Sequence, residues 1–236
     1  MKTASVVGRI KGMVQGVFQY RKSRRLAEVE IDGLVSEAYI SNGVEMSFLK
    51  PGTGCFLRKA DSEKRKTAYD LYSVFDQKTL VCVDAKEPLR IAMKWYIERL
   101  QSEFEGQRIS ILDDYQSSSF ICYRDRKPEM TVQVMGTSFI KNRNAYLPEI
   151  PSSALNQRLE SLLWMKDRGQ NPRLLFVICR DDADSFSANV DTDPYFAMLL
   201  EKVHGAGIPI ECLRCIVDEN GMRADGLIPL GITETE

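Results

Sequence analysis

Between Val6 and Tyr20 the apolar residues come in short clusters broken by Gly8, Gly12 and Gly16. That pattern predicts strongly curved strands of the kind small barrels use. Further on, Val29 and Ile31 alternate with Glu28, Glu30 and Asp32, which predicts a strand buried on one face. Asp32-Gly33 supplies a hairpin turn into a second strand through Leu34 and Ile40. Pro51-Gly52 and Thr53-Gly54 mark another turn ahead of Cys55-Phe56-Leu57, and a last apolar strand falls between Tyr69 and Phe75. The first 79 residues are therefore predicted to be a small all-β barrel.

The pattern changes near Thr79. Leu80 to Val83 is a short apolar strand, and Glu87-Pro88 opens a helix with proline at an early, tolerated position. Ile91, Trp95 and Leu100 lie near one face of that helix, supported by Met93 and Ile97. Ile109 to Leu112 predicts a strand. Two β-prone arms follow, Ser117 to Tyr123 and Glu129 to Met135, separated by a charged turn with Pro128, and these predict a hairpin. Leucines 155, 159, 162 and 163 with Met165 give helical spacing from Ser153 to Asp167, ended by Gly169. Leu174 to Cys179 is an apolar run short enough to be a strand buried on both faces. Asp193-Pro194 starts a helix that stops at Gly205, and Ile208 to Val217 returns as a strand. Residues 80–236 therefore read as an α/β domain with helices packed on a central sheet.

Charge refines this division. The chain is near neutral, at −1. Residues 1–79 carry 14 Lys+Arg against 9 Asp+Glu, whereas residues 80–236 carry 18 against 24. The basic excess is concentrated in Arg21-Lys22-Ser23-Arg24-Arg25 and Lys64-Arg65-Lys66. Such clusters on a barrel suit a phosphate backbone, with Tyr20, Phe56 and Tyr69 available for base stacking. The bland alternative is solvated barrel surface. Gly8, Gly12 and Gly16 form no dinucleotide fingerprint, because no helix follows them. No apolar run reaches membrane-spanning length and no signal-peptide core precedes the barrel, so a cytoplasmic protein with no membrane partner is expected. Cys212-Leu213-Arg214-Cys215 has the CxxC form, but no second pair follows and His204 is the only histidine. Buried strand cysteines are expected there, not zinc or redox chemistry.

The hairpin carries a resemblance. Together with Arg24 to Val29, Ser41 to Met46, Ser62 to Lys66 and Asp193-Pro194-Tyr195-Phe196, it resembles the sugar fermentation stimulation protein A family. Those stretches are similar to the family's R-F-L-A-D-V, P-N-T-G-x-M, N-x-K-R-K and D-P-x-Y motifs. The resemblance implies an N-terminal OB-like β-barrel followed by a restriction-endonuclease-like α/β domain, α+β overall. It also implies a PD-(D/E)xK nuclease centre, with Asp on the first hairpin strand and Glu-x-Lys on the second. On this sequence those positions fall on Ser119, Gln133 and Met135.

A metal-dependent nuclease needs anionic oxygens to hold a hard divalent cation and a lysine to steady the attacking water. A hydroxyl, an amide and a thioether do none of this. The family's F-P-D and T-x-R-G-x-K-H runs fall on Leu147-Pro148-Glu149 and on Ser152 to Arg158, keeping only Glu149 as a carboxylate and Arg158 as the final basic residue. No catalytic residue, metal or cofactor is therefore expected, and nucleic-acid binding through Arg21, Lys22, Arg24, Arg25, Lys64, Arg65 and Lys66 is the leading expectation. One alternative is a nuclease whose centre has migrated to Asp113, Asp114, Asp125, Glu129, Lys141 and Glu149. Another is a protein-interaction scaffold whose acidic second domain meets a basic partner.

Overall fold

The computed structural model describes residues 13–43, 46–60 and 65–231. The bends expected at Gly8 and Gly12, the Val44-Glu45 step and Lys64 lie outside them. The chain divides into two compact units. The first runs to Asp84 and takes back Val217–Met222, and the second holds Ala85–Ile216 and the residues from Arg223 onward.

In the first unit, β1 (Met13–Ser23), β2 (Leu26–Ile31), β3 (Leu34–Tyr39), β4 (Thr53–Lys59), β5 (Tyr69–Asp76) and β6 (Thr79–Cys82) form one sheet in the order β3-β2-β1-β4-β5-β6. A parallel pairing of β3 with β5, Ala38 opposite Tyr69, closes the first five strands into a barrel. Closure places every outer strand but β6 between neighbours, and this five-stranded circuit is the OB architecture. The long β1 serves both halves, pairing with β4 through Met13–Phe18 and with β2 from Val17 onward. Gly16 lies at that changeover, where a Cβ would stand 2.9 Å from the Glu30 carbonyl oxygen. Asp32 and Gly33 both have positive φ, 50° and 78°, as a two-residue type I′ hairpin demands. Alternate residues Ala27, Val29 and Ile31 fill the interior with Phe18, Leu57, Leu71 and Val74. The run from Leu80 to Val83, read from sequence as the opening of the second domain, instead provides the sixth strand of this sheet.

In the second unit, α1 (Glu87–Glu103) precedes an antiparallel meander of β7 (Ile109–Asp114), β8 (Ser119–Arg124) and β9 (Lys127–Thr137). Next come β10 (Ile140–Lys141), β11 (Asn144–Leu147), α2 (Ser153–Asp167), β12 (Pro172–Ile178), β13 (Ser185–Ala188), α3 (Pro194–Gly205), β14 (Ile210–Asp218), β15 (Gly221–Leu227) and β16 (Leu230–Gly231). The main sheet has the order β15-β14-β12-β9-β8-β7, with β12 parallel to both β9 and β14. Strand β9 is central and buried on both faces from Val132 to Met135. One of those faces joins Leu159, Leu162, Phe176, Phe196 and Leu200 in the core beneath α2 and α3. Against the other packs α1, whose core aromatic is Tyr96 (1 % exposed) and not the Trp95 favoured by the sequence pattern. The Tyr96 hydroxyl donates to Glu211 across 3.0 Å, which lets a polar-tipped ring be buried. A smaller sheet, β10-β11-β13-β16, was not anticipated.

Asp193 ties α2 to α3. Its carboxylate accepts from the Phe196 N–H as N-cap of α3, and also from the Ser152 N–H and Asn156 Nδ2 at the start of α2. Burial pushes its pKa up, but these donors outweigh burial and hold it below the usual carboxylate range. Removal of the cap in Asp193→Ala is expected to lower unfolding free energy by about 2 kcal/mol, the upper end for an N-cap because two helices share it. A depressed folded pKa means the stabilisation exists above the ordinary Asp value of ~4 and is lost as pH falls through the folded value. The difference between parent and variant in urea unfolding should therefore shrink in acid. A constant difference between pH 7 and pH 2 would show that the carboxylate charge is not involved.

Candidate functional site

The β8–β9 register sets Ser119 directly opposite Gln133, with Met135 two residues further on the same side of β9. The three positions on which the family resemblance places a nuclease centre are thus brought together on one hairpin, as Ser119, Gln133 and Met135. Met135 is 1 % exposed and packs among the apolar residues under α2. Gln133 is 3 % exposed and does more than fill space. Its Nε2 donates to the carbonyl oxygens of Ser117 at 2.8 Å and Ser118 at 3.0 Å, with a longer approach to Val134 O at 3.4 Å. Those carbonyls belong to the β7–β8 turn, where Ser118 takes a positive φ of 54°. The side-chain amide therefore ties Ser117 O to β9 and adds a second donor to Ser118 O, which the Val134 N–H already serves at 2.9 Å.

Two carbonyl oxygens at hydrogen-bond distance require the amide NH2, and not an oxygen, to face them. A glutamate in that pose would aim an anionic oxygen at both. Around it, Ser119 Oγ lies 2.6 Å from Ser117 Oγ, which lies 2.8 Å from Asp114 Oδ2. Asp114 also accepts the Gln116 and Ser117 N–H groups, so these hydrogen bonds hold its carboxyl below the usual range. The residues present at these positions do not fit a hard divalent cation.

The other acidic candidates are not gathered into a centre. Asp125 accepts the Arg108 N–H, and Glu129 pairs with Arg124 at 2.8 Å, both at the far end of the hairpin. That end is about 17 Å from Ser119, at ~3.4 Å per residue along β8. Lys141 lies over the Phe139 ring. Asp113 is exposed on the edge strand β7. Glu149 follows β11 and is half-buried, and burial alone raises its pKa. Among the described residues no group of three or more His, Cys, Asp and Glu is placed to hold a metal. Cys212 and Cys215 are three apart on β14 and so point to opposite faces of the sheet; burial pushes the Cys212 thiol up to about 12.

Arg158, on α2, reaches the same turn from the other side. Its Nη2 stands 3.3 Å from Ser118 Oγ. Burial lowers its pKa, and no charged neighbour contributes to the shift.

On the barrel, the first basic cluster runs from the end of β1, which holds Arg21 and Lys22, into the β1–β2 turn at Arg24 and Arg25, and Arg65 and Lys66 lie in the connection between β4 and β5. They converge on the end of β3. Arg21 Nη2 donates to Asn42 O and Arg24 O, Arg24 Nε to Gly43 O, and Arg25 Nη1 to Ser41 O. Arg65 stacks over the Tyr39 ring with its carbon 5.5 Å from the centroid. Carbonyl acceptors are neutral, so the Arg24 and Arg25 guanidinium groups of the first loop keep their full charge. Lys22 and Arg65 do not, since Lys22 bridges Glu37 and Glu28 and Arg65 grips Asp70 through two nitrogens. The expected aromatics are not gathered here. Tyr20 donates to Glu28, Phe56 packs beside Phe75, and Tyr69 packs on the barrel core. Tyr39, which the sequence pattern did not single out, is the ring at this rim. The outer face of β2 and β3 is acidic, with Glu28 paired directly opposite Glu37 and Glu30 beside them.

The molecule is thus an OB barrel followed by an α/β domain built around the β8–β9 hairpin, which carries the neutral residues Ser119, Gln133 and Met135. Residues 20–83 match the SfsA N-terminal OB domain, and residues 89–221 match the sugar fermentation stimulation protein RE domain. The chain belongs to the sugar fermentation stimulation protein family. A homologue from Ruminiclostridium cellulolyticum is 28% identical over 212 residues, covering 89% of this chain and 93% of its own. One from Methanobrevibacter smithii is 26% identical over 229 residues, covering 92% and 95%. The structure of Pyrococcus furiosus SfsA in complex with Ca2+ shares the fold, with a TM-score of 0.80 at 19% identity over 94% of this chain and 97% of that one. No helix among the described residues is long and apolar enough to cross a membrane.

Proposed function

We propose that this protein binds nucleic acid through the loop rim of its barrel and does not cut it. The observation that carries the reading is the convergence of the two basic segments on Tyr39 to Gly43, where Arg24 and Arg25 keep their charge against neutral carbonyls. OB barrels take oligonucleotides with the face of strands 2 and 3 and with these same two loops, β1–β2 and β4–β5. The acidic outer face of β2 and β3 directs a phosphate backbone to the rim and away from the strands. The absence of cleavage follows from Ser119, Gln133 and Met135, which offer neither an anionic metal ligand nor a lysine.

The test is fluorescence anisotropy on single- and double-stranded oligonucleotides across a salt series. Replacing Arg24, Arg25 and Lys66 with Gln removes three charges while keeping hydrogen-bonding length. It should weaken binding and make the slope of log K against log salt shallower by about 2–3. Lys66→Gln alone, at an exposed position, controls for any loosening of the Ser41 anchor and should account for roughly one unit of slope. Unchanged affinity in the triple variant removes the rim from the reading. The same samples with Mg2+ or Mn2+ should show no cleavage, and metal-dependent products would return the protein to the nucleases.

A further inference from the structure

The vestigial centre keeps one feature that ordinary sheet packing does not explain. Arg158 is half-buried, and its one close polar partner among the described residues is the Ser118 hydroxyl at 3.3 Å. No carboxylate among the described residues pairs with it, although a partly desolvated guanidinium ordinarily gains one or is held by strong acceptors. The hydroxyl chain nearby accounts for its own protons. With Ser117 Oγ donating to Asp114, the hydrogen between Ser117 and Ser119 comes from Ser119. Ser118 accepts from Arg158, which leaves its own O–H to donate elsewhere. A cation short of a counterion and a hydroxyl with a hydrogen to spare thus stand together, one residue from the family's Asp position. Asp114 is the opposing anion of the cluster, and its charge is shared among the Ser117 hydroxyl and two backbone N–H groups.

The charge arithmetic of the site is informative. In a metal-dependent nuclease two carboxylates and a divalent cation cancel, and the lysine presents one net positive charge to the phosphate. Here the carboxylates are a hydroxyl and an amide and the lysine is a thioether; Arg158 brings one positive charge with no metal required, while the Asp114 charge is taken up by the Ser117 hydroxyl and the Gln116 and Ser117 N–H groups. We propose that this position is a phosphate-binding site in which the Arg158 guanidinium and the Ser118 hydroxyl hold the anion directly. The phosphate group belongs either to a nucleic-acid backbone, which deepens the binding reading above, or to a small phosphorylated molecule. Arginine suits the role because its planar fork matches phosphate oxygens and stays charged when partly buried.

The experiment measures thermal stability and affinity with inorganic phosphate against chloride at matched ionic strength. Phosphate should raise the Tm of the parent. Arg158→Gln should weaken phosphate affinity by about tenfold or more, the loss of one charge-assisted pair, and Ser118→Ala by less. Arg158→Lys should retain part of the effect. The Arg24, Arg25 and Lys66 triple variant should keep the full shift, which separates this site from the barrel rim. A second arm measures oligonucleotide binding. A salt slope shallower by about 1 in Arg158→Gln assigns the phosphate to nucleic acid, whereas an unchanged slope, with a phosphate shift that the parent shows and Arg158→Gln loses, assigns it to a small molecule. No phosphate shift in the parent, or an equal shift in Arg158→Gln and Ser118→Ala, overturns the site and leaves the rim reading standing. Should Arg158→Gln fail to fold, the Ser118→Ala affinity decides.

Discussion

Gln133→Glu, the substitution that restores the family's carboxylate, is expected to destabilise the protein by about 3–5 kcal/mol at neutral pH. That is the range for leaving a buried charge uncompensated. The site is 3 % exposed, and the new oxygen would stand where Nε2 now donates to Ser117 O and Ser118 O at 2.8 and 3.0 Å. Two hydrogen bonds would become two repulsive contacts. The introduced acid would have a folded pKa raised above the ordinary Glu value of ~4.3. A raised folded pKa places the penalty above that value and relieves it as pH falls toward ~4.3, because the protonated acid can donate one of the lost bonds. Urea unfolding from pH 8 to pH 4 measures this directly. A variant within ~1 kcal/mol of the parent at pH 7 would mean that the amide does not hold the β7–β8 turn. Millimolar Mg2+ should leave the melting temperature of the unmodified protein at the value of an ionic-strength control, since mass-action stabilisation requires a site that binds.

Gly136→Val should cost roughly 3 kcal/mol or more, the upper end for overpacking. The reason is a close approach between β9 and the start of α1. A Cβ at Gly136 would lie 2.4 Å from Cγ and 2.9 Å from Cβ of Pro88. Pro88 belongs to the first turn of α1, and its ring has no rotamer into which to withdraw. The strain can be relieved only by moving α1 off the sheet, which uncovers Leu89, Ala92 and Tyr96. The loss should therefore appear in the unfolding midpoint and in near-ultraviolet signals of Tyr96 and Trp95. Full stability in the valine variant would show that α1 tolerates displacement.

Much of this was written in local sequence. The turn at Asp32-Gly33 was legible because both residues tolerate positive φ, and the hairpin because its two arms carry β-prone side chains at matched length. Proline and aspartate fixed the starts of α1 and α3 for reasons confined to a few neighbouring residues. The pairing of Ser119 with Gln133 was open to the family resemblance, since hairpin register follows from the length of the turn. Where the deciding interaction was remote, local pattern misled. Leu80 to Val83 reads as the start of a new domain, but a short apolar strand carries no mark of which sheet it joins, and here it pairs with β5. Trp95 looked like the core aromatic of α1. Tyr96 took that place because Glu211, far along the chain, accepts its hydroxyl.

The sequence by itself thus determined the barrel-then-α/β order and the longer strands and helices, consequences of side-chain type and spacing, and its resemblance to the family singled out the neutral residues Ser119, Gln133 and Met135. Only the tertiary structure decided what those neutral residues do. Gln133 supplies donors to carbonyls more than a dozen residues away, Arg158 reaches Ser118 across forty positions, and two basic segments meet at the end of β3. Hydrogen-bond satisfaction and charge compensation depend on distance in space, and neighbours along the chain do not specify which distant groups will meet.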